Sequence, residues 1–147
     1  MAPTTLLPQG HLEAAQAIGY IYFWGQGVAI DYSRAMAAFK VGAEGGLTGS
    51  QHQVGVMYFE GFGVDVDYKQ ARAWLEKSAV QDDPNAVCML GTIYGIGRGV
   101  TPSFRRSQEY YERAIELGSS NAVENMQALT EDIQTVTRAL LHHLGIV

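Results

Sequence analysis

The short glycine-rich segments GQGVAID, GFGVDVD and GRGVTPS begin at Gly25, Gly61 and Gly97, each 36 residues after the last. A phosphate-cradling loop is needed once in a chain; a structural unit needs its turn in every copy. Laid over itself with a 36-residue shift, the sequence repeats at many further positions. Gly19, Gly55 and Gly91 coincide, as do Tyr22, Tyr58 and Tyr94. So do Gly27, Gly63 and Gly99, and Val28, Val64 and Val100. An aliphatic residue precedes the first glycine (Ile18, Val54, Leu90), and a small residue lies five positions before it (Ala14, Ser50, Ala86). Past the loop stand Asp31, Asp67 and Ser103, each followed by an aromatic ring.

Each unit reads as two helices. In the first, Ala14, Ile18 and Tyr22 fall at i, i+4 and i+8 and mark one face, read here as the packing stripe. A glycine inside a helix costs about 1 kcal/mol against alanine, so Gly19, Gly55 and Gly91 are expected where a second helix approaches closely. The loop glycines end the first helix and turn the chain. Asp31, Asp67 and Ser103 are N-caps for the second helix. Its inner face carries Ala35, Phe39 and Ala43, then Ala71, Leu75 and Ala79, then Ser107, Tyr111 and Ile115. Gly45–Gly46, Asp82–Asp83–Pro84 and Gly118 turn one unit into the next. A fourth copy starts at Ala122 and Met126 but has Gln127 in place of the helix glycine, and no loop follows. Ala122, Met126, Leu129, Ile133, Val136, Leu140 and Leu144 extend one apolar face instead, as a terminal cap must. The expected organisation is an irregular segment 1–11, repeats 12–47, 48–83 and 84–118, and a capping helix within 119–147, its distal half overhanging.

The run small-x3-aliphatic-Gly-x2-Tyr-x2-Gly-x-Gly-Val, followed by Asp and a second helix, resembles the Sel-1-like repeat (SLR) family, relatives of the tetratricopeptide repeats. The resemblance covers residues 12–119. It implies an all-α fold, an α-solenoid (a right-handed superhelix of helix-turn-helix units), with a concave face that serves as an adaptor for other proteins. Ser103 and Ser107 depart from the Asp and Ala of the other copies while keeping the chemistry. Ala38 stands where the later copies have Trp74 and Tyr110, so the first helix pair is expected to pack less fully. A cysteine-rich branch of the family links its helices by disulfides; one cysteine, Cys88, places this chain outside it.

Charge and chemistry narrow the function. Ten basic and fifteen acidic residues give a net charge of −5, which argues against a nucleic-acid surface. No run approaches the length of a membrane span, and the first ten residues lack the pattern of a signal peptide. A soluble protein is expected, and its compartment stays open between the cytoplasm and, for a fragment of a secretory-pathway protein, the secretory pathway. The loop at Gly95 has neither the preceding strand nor the Lys-Ser/Thr of a P-loop. No metal-ligand spacing, zincin motif or nucleophile elbow is present. Adjacent His142 and His143 point about 100° apart on a helix. No catalytic residue, metal or cofactor is therefore assigned, and the chain is read as a non-enzyme.

What remains is binding. Opposite the stripe lie Glu13, Gln16, Tyr20, Phe23 and Trp24 in the first unit. Gly49, His52, Val56, Phe59 and Glu60 follow in the second, and Asn85, Cys88, Thr92, Gly95 and Ile96 in the third. Tyr20, Phe23, Trp24 and Phe59 make this face rich in aromatic residues, as partner sites often are. The expected site is Glu13, Gln16, Tyr20, Phe23, Trp24, His52, Phe59 and Glu60 on the concave face. It would hold a peptide or helix of a partner protein, with the two glutamates favouring Lys or Arg. Alternatively Phe23 and Trp24 pack beneath their loop. A second reading is a structural or oligomerising module, in which Val136, Leu140, Leu141 and Leu144 on the terminal helix make the main contact. Either reading suits a monomer or weak homodimer.

Overall fold

The computed structural model describes residues 8–147. It contains seven helices and no strand among the described residues. Three helix pairs run in chain order: α1 (Gln9–Trp24) with α2 (Tyr32–Glu44), α3 (Thr48–Glu60) with α4 (Tyr68–Val80), and α5 (Pro84–Ile96) with α6 (Phe104–Glu116). A single longer helix, α7 (Ser120–His143), closes the sequence. Helix α1 begins at Gln9, so residues 9–11 are helical rather than irregular; residues 1–7 of that segment lie outside the described residues. Pro8 stands at the N-cap of α1, where its missing N–H removes no helical hydrogen bond. The chain divides into two compact units, one ending at Ala86 and one starting at Val87.

The repeating loop is built by the same bonds each time. Gly25, Gly61 and Gly97 cap the first helices in the left-handed region, at φ 67°, 76° and 74°, where a side chain is strained. Their N–H groups and those of the next residues close back onto Ile21, Met57 and Ile93. Beyond the loop, the N–H of Asp31, Asp67 and Ser103 donates to the carbonyl of Tyr22, Tyr58 and Tyr94 at 3.0, 2.9 and 2.8 Å. The side chains of these capping residues accept in turn from the N–H of Arg34, Gln70 and Arg106. The loop is thus a backbone staple between two helices, and its glycines supply the left-handed turn that the staple requires.

The helix glycines mark close crossings. A Cβ at Gly19 would stand 2.6 Å from the Phe39 ring, one at Gly55 2.7 Å from Leu75, and one at Gly91 2.7 Å from Tyr111. Each pair is separated by 20 residues, so the crossing is one solution used three times. Phe39 and Leu75 are fully buried, with Ala35, Met36, Ala43, Val54 and Met57 around Phe39. Helix α2 also packs on α3: a Cβ at Gly42 would overlap Ser50 Oγ. The first helix pair packs as closely as the second despite Ala38, because Phe39 and Phe23 supply the bulk.

One expectation of packing changes. The stripe Ala14, Ile18 and Tyr22 is not the inner face of the first pair: Ala14 is exposed and Ile18 is 46% exposed. The same positions in the next copy, Ser50 and Val54, are fully buried, because α2 covers them. The stripe therefore packs towards the preceding pair, and the partner helix is met instead through Leu12, Gly19 and Phe23. At the second turn between repeats, Asp82 takes the left-handed place (φ 59°) that Gly46 and Gly118 hold in the other copies. Aspartate tolerates that conformation better than most residues.

Candidate functional site

The eight residues expected to bind a partner all lie on α1 and α3, but their surroundings differ. Trp24 is the last residue of α1 and is 62% exposed. Its ring stands edge-on to Phe23, with centroids 4.9 Å apart. Phe23 itself is only 8% exposed and packs against Tyr32 and Phe62 at 5.3 and 5.7 Å. It is therefore a core residue and leaves the candidate surface. Helical spacing puts it on the right face, but Phe62 from the following loop closes over it. Tyr20 is half-buried, edge-on to Phe39 at 5.0 Å. Phe59 is half-buried on Tyr68 at 5.5 Å.

The polar members are partly committed. Gln16 accepts a hydrogen bond from Ser50 Oγ at 3.0 Å, tying α1 to α3. His52 is half-buried, and loss of water holds its imidazole below the usual histidine range, with Asp83 opposing the shift. It is neutral at pH 7 and suits hydrogen bonding rather than charge pairing. Glu13 and Glu60 are exposed carboxylates. What remains accessible is one pinned indole, two half-buried rings and two exposed negative charges, that of Glu13 accepting from Gln9 Nε2 at 3.4 Å. Such a surface can hold an apolar side chain and attract a cation. Among the described residues no group of three His, Cys, Asp or Glu side chains could hold a metal ion.

In the third copy the equivalent face is different. Cys88 is buried and accepts from Asn125 Nδ2 at 3.4 Å. Burial pushes its thiol up, which makes it a poor nucleophile. Beside it a cleft of about 260 Å³ opens between α5, α6 and α7, lined by Thr92, Gly95, Ile96, Phe104, Leu129 and Asp132 among others. The sequence reading placed Thr92, Gly95 and Ile96 on this face but missed Phe104, Leu129 and Asp132, which come from other helices.

The terminal helix runs for 24 residues against 13 in α2 to α6. Ala122 is buried and Met126, Leu129 and Ile133 are partly covered, as a cap requires. Further on, Val136, Leu140 and Leu144 are exposed and Leu141 is half-buried. An open apolar cleft of about 660 Å³ lies there, lined by Ile133, Thr137, Leu141, His142 and Val147. No helix is long and apolar enough to cross a membrane among the described residues.

A stapled loop and a close glycine crossing, each repeated at 36 residues and followed by one capping helix, define a helical-repeat protein of the solenoid class. The Sel1 repeat model matches residues 12–47, 48–83 and 84–119, and the chain belongs to the Sel1 repeat family. Similar solved structures include an SLR-fold protective antigen of uropathogenic Escherichia coli (35% identity, TM-score 0.74) and a Sel1 repeat protein of Oxalobacter formigenes (32% identity, TM-score 0.74). The match covers 78% and 86% of this chain, but only 24% and 50% of those longer chains. Cysteine-rich protein B of Helicobacter pylori matches 79% of this chain and 89% of its own at 19% identity and TM-score 0.64, a likeness of fold alone. Among curated proteins none matches the chain. Sel1 repeat proteins are of the protein-interaction scaffold type.

Proposed function

We propose that this chain is a non-catalytic adaptor that holds a segment of a partner protein on the exposed side of α1 and α3. One observation carries the reading: Trp24 is exposed yet held by its edge contact with a buried ring. An indole fixed in one orientation loses little entropy on binding, which is what energetically dominant interface residues share. Tyr20, Phe59, Gln16 and His52 would surround the contact. Glu13 and Glu60 would select a partner segment carrying Lys or Arg, mainly by steering its approach. The test is titration calorimetry with a purified partner. Trp24→Ala is expected to weaken binding by about 2 kcal/mol, roughly 30-fold, with the helical circular dichroism unchanged. Unaltered affinity would remove Trp24 from the site.

The exposed row Val136, Leu140 and Leu144 favours a second reading, in which α7 makes the main contact with another copy or another protein. Its apolar spacing is close to a heptad seam. Sedimentation velocity of Leu140→Asp decides the homotypic form: a dimer that dissociates on substitution supports it, and an unchanged monomer removes it.

A further inference from the structure

The third repeat lacks a ring that the first two supply to themselves. Phe23 packs on Tyr32 with centroids 5.3 Å apart and planes at 60°. Thirty-six residues on, Phe59 packs on Tyr68 at 5.5 Å and 62°, the same pair in the same geometry. In the third copy the second ring of the pair is present as Phe104, but the first position is Gly95. Tyr20, the further ring of the first repeat, is matched by Val56 in the second and by the polar Thr92 in the third. Phe104 is left 49% exposed, where Tyr32 and Tyr68 are half-buried. The cleft of about 260 Å³ stands where these side chains are missing.

A local reason keeps Gly95 a glycine. The small Ala35 and Ala71 of the first two copies are matched by Ser107. A Cβ at Gly95 would stand 3.0 Å from Ser107 Oγ, whose hydroxyl is held by the carbonyl of Gly91 at 2.7 Å. The two substitutions, Phe to Gly and Ala to Ser, thus belong together. Leu129 and Ile96 give the cleft apolar walls, and Asp132 places a carboxylate at its rim.

We propose that this cleft is a second recognition site, independent of Trp24, that takes a phenylalanine side chain from a partner segment with a Lys beside it. The phenyl ring would pack on Phe104 as Phe23 packs on Tyr32, and the ammonium would meet Asp132.

The experiment is a two-dimensional amide NMR titration of the full chain with the peptide acetyl-Gly-Lys-Phe-Gly-amide. Saturable shifts are expected at Thr92, Gly95, Leu129 and Asp132, with the peptide carrying Ala in place of Phe bound at least about tenfold more weakly. The double variant Gly95→Phe/Ser107→Ala restores the pair found in the first two repeats, so it should close the cleft and abolish those shifts. Asp132→Lys, on the surface of α7, should weaken the peptide about tenfold without touching the core, and it serves as the test if the double variant fails to fold. Equal binding of the two peptides would overturn the proposal. So would shifts centred on α1, or binding undiminished in a folded double variant or in Asp132→Lys.

Discussion

Gly55→Val is expected to destabilise the protein by about 3 kcal/mol, at the upper end of what overpacking a core costs. The first atom of the new side chain would lie 2.7 Å from Leu75 Cγ and 3.2 Å from the carbonyl oxygen of Ala71. Leu75 is fully buried and the carbonyl belongs to a helix, so neither can withdraw cheaply. Urea unfolding followed by circular dichroism should show a lower midpoint with an unchanged slope. Gly49→Ala, in the same helix, is the control. Its Cβ meets only the amide end of the half-buried Gln16 side chain at 3.3 Å, with no backbone in the way, and the helix gains propensity. If both substitutions cost the same, the loss is not one of close approach, and the repeated glycine is not the crossing point described above.

Phe39→Ala should cost about 3–5 kcal/mol, since it removes a fully buried ring that Tyr20, Phe23 and Gly19 all touch. The crossing also predicts how the pair couples. Gly19→Ala alone forces a methyl group to within 2.6 Å of that ring and should be destabilising. With Phe39→Ala already in place the same methyl enters the space the ring has left, and the helix loses a glycine. The double-mutant cycle should therefore be non-additive by more than about 1 kcal/mol in the favourable direction. Additive costs would mean that the glycine and the ring act separately.

Most of this architecture is legible in the sequence because its causes are local. A glycine cap, an Asp or Ser side chain accepting from the third residue on, and a glycine 20 residues from a large apolar residue are all visible as spacing. The environment of each face is less legible, because it depends on what lies against it. Ala14 and Ile18 have the periodicity of core residues, yet they are exposed while Ser50 and Val54 are buried. The pattern records that a neighbour belongs on that face, not that one is there. Phe23 and Trp24 are adjacent aromatics, and only the return of Phe62 decides that the first is core and the second surface. Cys88 lies on the face opposite the stripe and is nevertheless buried, with Asn125 reaching it from 37 residues later. The cleft at Gly95 did leave a signal: a glycine aligned with Phe23 and Phe59. The signal gains meaning only when Phe104, in the next helix, is seen to have lost the ring that pairs with Tyr32 and Tyr68.

The central claim is that the exposed side of α1 and α3 binds a partner protein. It is tested most directly by affinity capture from a lysate of the cells that make this protein, comparing wild type, Trp24→Ala/Glu60→Lys, and Leu140→Asp/Leu144→Asp. All substituted residues are exposed, so each variant should fold, which circular dichroism verifies. A protein captured by the wild type and by the α7 variant, but lost with Trp24→Ala/Glu60→Lys, is the predicted result. Equal capture by the wild type and Trp24→Ala/Glu60→Lys would contradict it, and loss with the α7 variant alone would move the contact to the terminal helix.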